Sequence, residues 1–305
     1  MAKQSKQHEY SHIKLTPADR TFYVINGILL AIIVLATLYP ILYVASSSFS
    51  SPSAVTTGKV VLWPVEPSLK GYDAVFKEPR ILSGYWNTII YTVVGTVLNV
   101  VFTVLAAFGL SRQELVGRRV FNFLFAFTMW FSGGMIPTYL LMRTLGVLNT
   151  RWAMWIPGLI GVWNVVITRT FFESGIPEDL WESASLDGCG YTRYFTDIVL
   201  PLSGAIVAVI TLFYAVGHWN AYFNAFLYLN KSELYPLQIV LRDILIKNSV
   251  DNEMIVEDAV SEIDYGLSDL LKYSLIMVAS VPVWCIYPFV QKYFVKGVMV
   301  GAIKG

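Results

Sequence analysis

Six stretches of this 305-residue chain contain no Asp, Glu, Lys or Arg: 21–58, 81–111, 120–142, 152–168, 198–230 and 273–291. A helix needs roughly 17–25 apolar residues to cross the hydrocarbon of a bilayer. There the backbone must satisfy its own polar groups, which a helix does and an open strand does not. Each stretch is long enough; 152–168 is the shortest, and Arg169 can snorkel from its end to the interface. The pattern predicts an all-α integral membrane protein with six transmembrane helices. They are expected over about 21–47, 85–110, 120–142, 153–171, 202–229 and 273–290. Only 14% of residues are charged, against about 25% in an ordinary soluble domain.

Three parts follow: a polar tail over 1–20, a transmembrane domain over 21–290 and a second tail over 291–305. The first span follows a polar tail and lacks the small-residue cleavage site of a signal peptide, so it is expected to remain as a helix. Six spans put both tails on one side, and that side holds twelve Lys and Arg against ten on the other. The compact triplet Arg112, Arg118 and Arg119 and the basic first tail favour a cytoplasmic location for the tails. The loop over 172–200 then faces the cytoplasm, and the loops over 50–84 and 231–272 lie outside. The last of these carries nine acids against four bases and is expected to be a solvated connector. Pro40, Pro157 and the Gly133-Gly134-to-Pro137 run are expected to kink or interrupt their spans. A net charge of +1 argues against a polyanion partner such as nucleic acid, and Cys189 and Cys285 give neither a pairing nor a metal spacing.

The 172–200 loop has its own local code. Ile176-Pro177-Glu178-Asp179 is a helix start, with proline in the first turn and acids at the positive end of the helix dipole. The helix should run to about Asp187 and stop at Gly188 and Gly190, because glycine alone takes positive φ freely. A second short helix over 191–199 leads to Pro201. Ser183, Ala184 and Ser185 are small enough for another protein to approach closely. An amphipathic connector lying on lipid headgroups is the simpler alternative.

Glu182, Ser183 and Ala184, then Gly188 after three residues, then Ile198, Leu200 and Pro201, reproduce the E-A-A-x3-G-x9-I-x-L-P spacing of the EAA loop. The chain therefore resembles the permeases of ABC importers. Asp187 fits the sugar-importing version, while Ser183 and Cys189 stand where alanine is usual. The resemblance extends over most of the chain. Phe131-Ser132-Gly133-Gly134-Met135-Ile136-Pro137, Leu148-Asn149-Thr150-Arg151-Trp152, His218-Trp219-Asn220, Leu234-Tyr235-Pro236-Leu237-Gln238 and Gln291-Lys292-Tyr293 are similar to the carbohydrate branch. Within that branch the chain is most similar to LplC-like permeases for complex oligosaccharides and polysaccharides, and more distantly to the maltose-type, MalG-like permeases.

The resemblance implies a type I importer fold in the cytoplasmic membrane of a bacterium. It implies a heterodimer with a second related permease, two ATPase subunits, and an extracytoplasmic solute-binding protein that delivers an oligosaccharide. Glu182, Ser183, Ala184, Asp187, Gly188, Ile198, Leu200 and Pro201 would form the coupling segment that docks on an ATPase, and the 231–272 loop would touch the binding protein. ATP and magnesium would belong to the ATPase, and no cofactor to this chain, which has no G-x4-G-K-[ST] loop.

Sugar recognition uses aromatic faces for ring surfaces and amides or hydroxyls for sugar hydroxyls. Trp219, Asn220, Tyr222 and Asn224 in the fifth span, Trp163 and Asn164 in the fourth and Gly133 and Gly134 in the third are the candidate pathway residues. Interhelical packing or an aromatic belt would use the same residue types, and His218 suits packing better than ligand binding. An ion-coupled carrier is the rival class, but the six stretches offer no Asp, Glu or Lys for a relay. A membrane enzyme would need a metal cluster or paired carboxylates that the spans do not supply.

Overall fold

The computed structural model describes residues 16–254 and 269–285; 1–15, 255–268 and 286–305 lie outside it, with most of the first tail and the whole second one. Among the described residues every regular element is helical. The chain begins with α1 (Pro17–Ser48), which Thr16 and Asp19 close with a reciprocal capping box ahead of Pro17. Two short helices, α2 (Pro52–Thr56) and α3 (Lys70–Lys77), lead into α4 (Pro79–Ser111), the longest element. Then come α5 (Arg118–Trp130), α6 (Met135–Thr144), α7 (Trp152–Trp155), α8 (Val162–Gly175), α9 (Asp179–Leu186), α10 (Tyr191–Tyr194) and a π-helical turn over Phe195–Val199. The chain continues through α11 (Leu200–Leu202), α12 (Gly204–Trp219), α13 (Phe223–Tyr228) and α14 (Leu237–Met254), and α15 occupies 269–285.

Two of these helices, α1 and α4, are long and apolar enough to cross a membrane by themselves. Two more spans are available if bent pairs count as one each: α5 with α6, turned by 114°, and Tyr191–Leu202 with α12, turned by 80°. The first bend falls at Gly133-Gly134, where Gly134 takes φ +83° and frees the backbone to turn. The expected fourth span is interrupted as well. Pro157 and Gly158 (φ +84°) separate α7 from α8, so helix is absent over 156–161, within the span predicted over about 153–171.

The centre is α4, whose side chains satisfy the backbone groups that the interrupted helices expose. Asn99 is 1% exposed and donates from Nδ2 to the carbonyls of Gly158 and Leu159, both at 2.8 Å. Its Oδ1 pairs with His218 Nε2 at 2.6 Å. The Gly161 N–H donates to the Tyr214 hydroxyl, which also meets Thr103 at 2.6 Å. Gly95 provides the room for His218, because a Cβ there would stand 2.5 Å from the ring. His218 is thus a packing residue held by hydrogen bonds, in a layer where unpaired polar groups are costly.

The other end of α4 docks α14. Asn87 donates to the carbonyls of Glu233 and Tyr235, Tyr91 to that of Leu234, and the Leu237 N–H to Thr88 Oγ1. Leu237, Val240 and Leu241 then bury with Val75, Ile81 and Leu275. The first half of the 231–272 segment is therefore a packed helix and not the solvated connector its charge count suggested. Apolar residues at 237, 240, 241, 244 and 245 give it one helical stripe.

Candidate functional site: the 176–201 segment and a cleft at the opposite end

The 176–201 segment folds as its residues dictate. Helix α9 ends in a Schellman motif: Cys189 N–H reaches back to Ala184 O at 2.9 Å and Gly188 N–H to Ser185 O at 3.0 Å, with Gly188 at φ +77°. Gly190, paired with Gly188 in the sequence reading, is different; its φ of −80° is open to any residue. The motif residues divide between two faces. Ala184 is buried, packing into the cluster that holds Phe172, Tyr194 and Val199, with Ile198 half-buried beside it. Its small size lets α9 sit close to the body of the chain, so the structure does not present it outward for docking. Glu182, Ser183, Asp187, Gly188, Leu200 and Pro201 are exposed.

A sequence reading confined to the motif missed the residues that hold α9 in place. Trp181 stacks on Tyr191 at 4.3 Å, meets Tyr194 edge-on at 5.0 Å, and donates from Nε1 to Glu114 at 3.0 Å. The backbone N–H of Glu114 itself, then Trp181 and Tyr191, hold that carboxyl below the usual carboxylate range. Arg112 is buried, with its guanidinium over Phe108 at 5.3 Å and over Tyr194 at 5.8 Å. The turn after α4 therefore grips the segment from one side, leaving a cleft of about 570 Å³ lined by Gln113, Glu114, Glu178, Trp181, Glu182 and Ser185.

Trp181→Ala should loosen α9 by about 2 kcal/mol, through the lost stack and indole bond. Uptake should fall by roughly tenfold at an unchanged membrane level, and Trp181→Phe should recover most of it. Wild-type uptake by the alanine variant would show that α9 holds its place without the clamp.

The candidate pathway residues separate. Trp219, Asn220 and Tyr222 come together, with Gln238 and Arg242 of α14 and Trp284 of α15, around a cleft of about 740 Å³. Asn224 belongs to a smaller cavity beside Asn99 and His218. Trp163 is exposed on α8, Asn164 is buried, and Gly133 and Gly134 stand exposed at the α5–α6 break; none of these four lines either cavity. The fifth span breaks at 220–222, between α12 and α13, and that break turns Trp219 and Tyr222 to the same cleft.

No protein-family model matches the chain. Similarity to individual proteins is extensive. The polygalacturonan/rhamnogalacturonan transport system permease protein YtcP of Bacillus subtilis is 40% identical over 284 residues, covering 92% of this chain and 97% of that one. The chain belongs to the carbohydrate ABC importer permeases. Protein LplC of the same organism is 38% identical to this permease, covering 95% of it and 97% of LplC. A crystal structure of a bacterial ABC transporter involved in the import of the acidic polysaccharide alginate contains a chain 37% identical to it. That chain superposes with a TM-score of 0.82, covering 92% of this permease and 99% of the other. The permease is accordingly not the ATP-hydrolysing subunit; the ATPase is a separate polypeptide. As in ABC importers generally, an ATPase, a solute-binding protein and a further permease are its partners.

Proposed function

We propose that this permease pairs with a second related permease in the cytoplasmic membrane of a bacterium and imports oligosaccharides released from an acidic polysaccharide. Two ATPase subunits drive the pair from the cytoplasm, and an extracytoplasmic binding protein delivers the sugar. The observation that carries the reading is the likeness to YtcP and to the alginate transporter, both named for polymers rich in sugar carboxylates.

Three structural features support the rest. The α9 segment is held stiffly by aromatic stacking yet shows its polar face outward, as a lever on an ATPase must. Broad apolar surfaces, including Phe22, Ile25 and Leu29 on α1 and Phe123 and Trp130 on α5, are exposed and suit lipid and a permease partner. The α9 segment and the 740 Å³ cleft lie at opposite ends of α4, whose 33 residues span about 50 Å at roughly 1.5 Å per residue. One end then serves the ATPase and the other the incoming sugar.

The test is to purify the chain with its co-expressed partners and reconstitute the complex. Oligogalacturonides or alginate oligomers, loaded on the binding protein, should raise ATP hydrolysis several-fold over unloaded binding protein, while maltodextrins of equal length should not. Stimulation by maltodextrins alone would reverse the substrate assignment, and recovery of this chain without any ATPase would remove the coupling role.

A further inference from the structure

The 740 Å³ cleft contains a cation that the charge-free spans did not promise. Arg242, on α14, lines it together with Trp219, Asn220, Tyr222, Gln238 and Trp284. The Arg242 guanidinium sits 4.7 Å from the Phe226 ring and 5.7 Å from the Tyr222 ring. Those two rings stack on each other at 5.9 Å. Stacking on an aromatic face fixes the plane of a guanidinium and leaves its in-plane N–H edge directed sideways. The neighbouring Asp243 carboxylate forms an ion pair with Arg242, its oxygen 3.7 Å from Nη1, which is longer than a hydrogen bond. Both side chains are about one-third exposed, at 37% and 35%.

The rest of the lining suits a sugar. The Gln238 amide offers donors and an acceptor for hydroxyls, Asn220 donates to the Val216 carbonyl at 2.9 Å and offers its Oδ1 as an acceptor, and Trp284 is an exposed aromatic. The Trp219 indole is already committed to the Ala279 carbonyl at 3.2 Å, so it forms wall and not a hydrogen-bonding group. A planar, pre-oriented arginine among amides and aromatic rings is the chemistry that reads a carboxylate two-pronged while the hydroxyls are met alongside. The volume lies within the usual range of about 300–1,000 Å³ for small-ligand sites.

We propose that this cleft is a subsite for one uronate residue of the cargo, with Arg242 as the group that recognises its carboxylate. The inference rests on the reading of the permease as an importer of acidic oligosaccharides and adds the place where the charge is read. Sequence reasoning had no access to it, because Arg242 lies in a segment read as a solvated loop. The packing of α14 onto α4 brings it to the α12–α13 break.

The experiment uses the complete reconstituted complex in proteoliposomes, with trigalacturonate on the binding protein as cargo. ATP hydrolysis without cargo provides the reference. R242Q should reduce trigalacturonate uptake about tenfold, in line with loss of one charge-assisted contact, and leave cargo-free ATP hydrolysis at the wild-type rate. R242K keeps the charge without the fork and should fall between the two; it also carries the test if R242Q does not assemble. An equal fall in uptake and in cargo-free hydrolysis would make Arg242 a packing residue and overturn the subsite. So would unchanged uptake in R242Q, or a wild-type preference for trigalacturonate over maltotriose in both R242Q and R242K. Wild-type complexes that import maltotriose but not trigalacturonate would overturn the acidic-cargo reading itself, an outcome separate from failure of the arginine variants.

Discussion

Asn99→Leu should leave little correctly folded permease in the membrane. Leucine keeps the branched four-atom side-chain skeleton of asparagine and is somewhat larger, so the change removes hydrogen bonds without opening a cavity. Three groups lose a partner: the carbonyls of Gly158 and Leu159, and the His218 ring nitrogen. The first two are carbonyls that the break between α7 and α8 leaves outside any helical ladder; Asn99 itself is almost fully buried, Leu159 half-buried and Gly158 exposed. A buried group left unpaired costs about 1–3 kcal/mol, so even two such losses take a large share of the roughly 5–15 kcal/mol that holds a typical domain together. The measurement is the fraction of detergent-extracted protein that stays monodisperse after a heating series. Asn99→Leu should lose it at much lower temperature than wild type. Asn220→Leu is the matched control, since Asn220 is exposed and its amide returns to Val216 in its own helix; it should behave almost as wild type. Equal heat resistance in both variants would show that the bonds around Asn99 do not hold the broken helix in place.

This seam also shows where the sequence was legible and where it was not. Apolar runs without charge identify a membrane-embedded helical protein because bilayer thickness and backbone hydrogen bonding leave few other solutions. They do not separate an unbroken helix from two short ones, since the breaks at 156–161 and 220–222 are as free of charge as what surrounds them. Pro157 and Gly133-Gly134 marked two of the breaks. The partners that make the break at 156–161 tolerable, Asn99 and Tyr214, lie on distant helices and carry no local signal. The α9 segment was readable in detail because its determinants are local: a proline-acid start, a positive-φ glycine and small residues between. Its clamp was not, since Trp181 meets Glu114 across 67 positions. The 231–272 segment was misread through averaging. Nine acids over the whole segment hid the apolar stripe of α14 at its beginning, and with it the setting of Arg242.

Gly188→Val should reduce uptake by more than tenfold while the protein still reaches the membrane. The reason is the backbone, because a Cβ at this position meets nothing within 4 Å in the chain. At φ +77° an L-residue costs about 1–2 kcal/mol, and a β-branched one more. Valine would relax toward negative φ, breaking the bonds from Gly188 to Ser185 and from Cys189 to Ala184 and re-aiming the chain that leaves α9. Gly190→Ala, at an ordinary φ, should be nearly silent. The remaining ambiguity is whether Gly188 is needed for its φ or for its lack of a side chain where an ATPase would press against it. Asparagine and alanine separate the two. Asparagine tolerates the left-handed region better than alanine but is the larger residue. If backbone conformation governs, uptake should fall in the order Gly, Asn, Ala, Val. If close approach governs, Ala should outperform Asn. Uptake rates normalised to membrane level, measured for the four side by side, decide between a turn that must hold its shape and a surface that must stay flat.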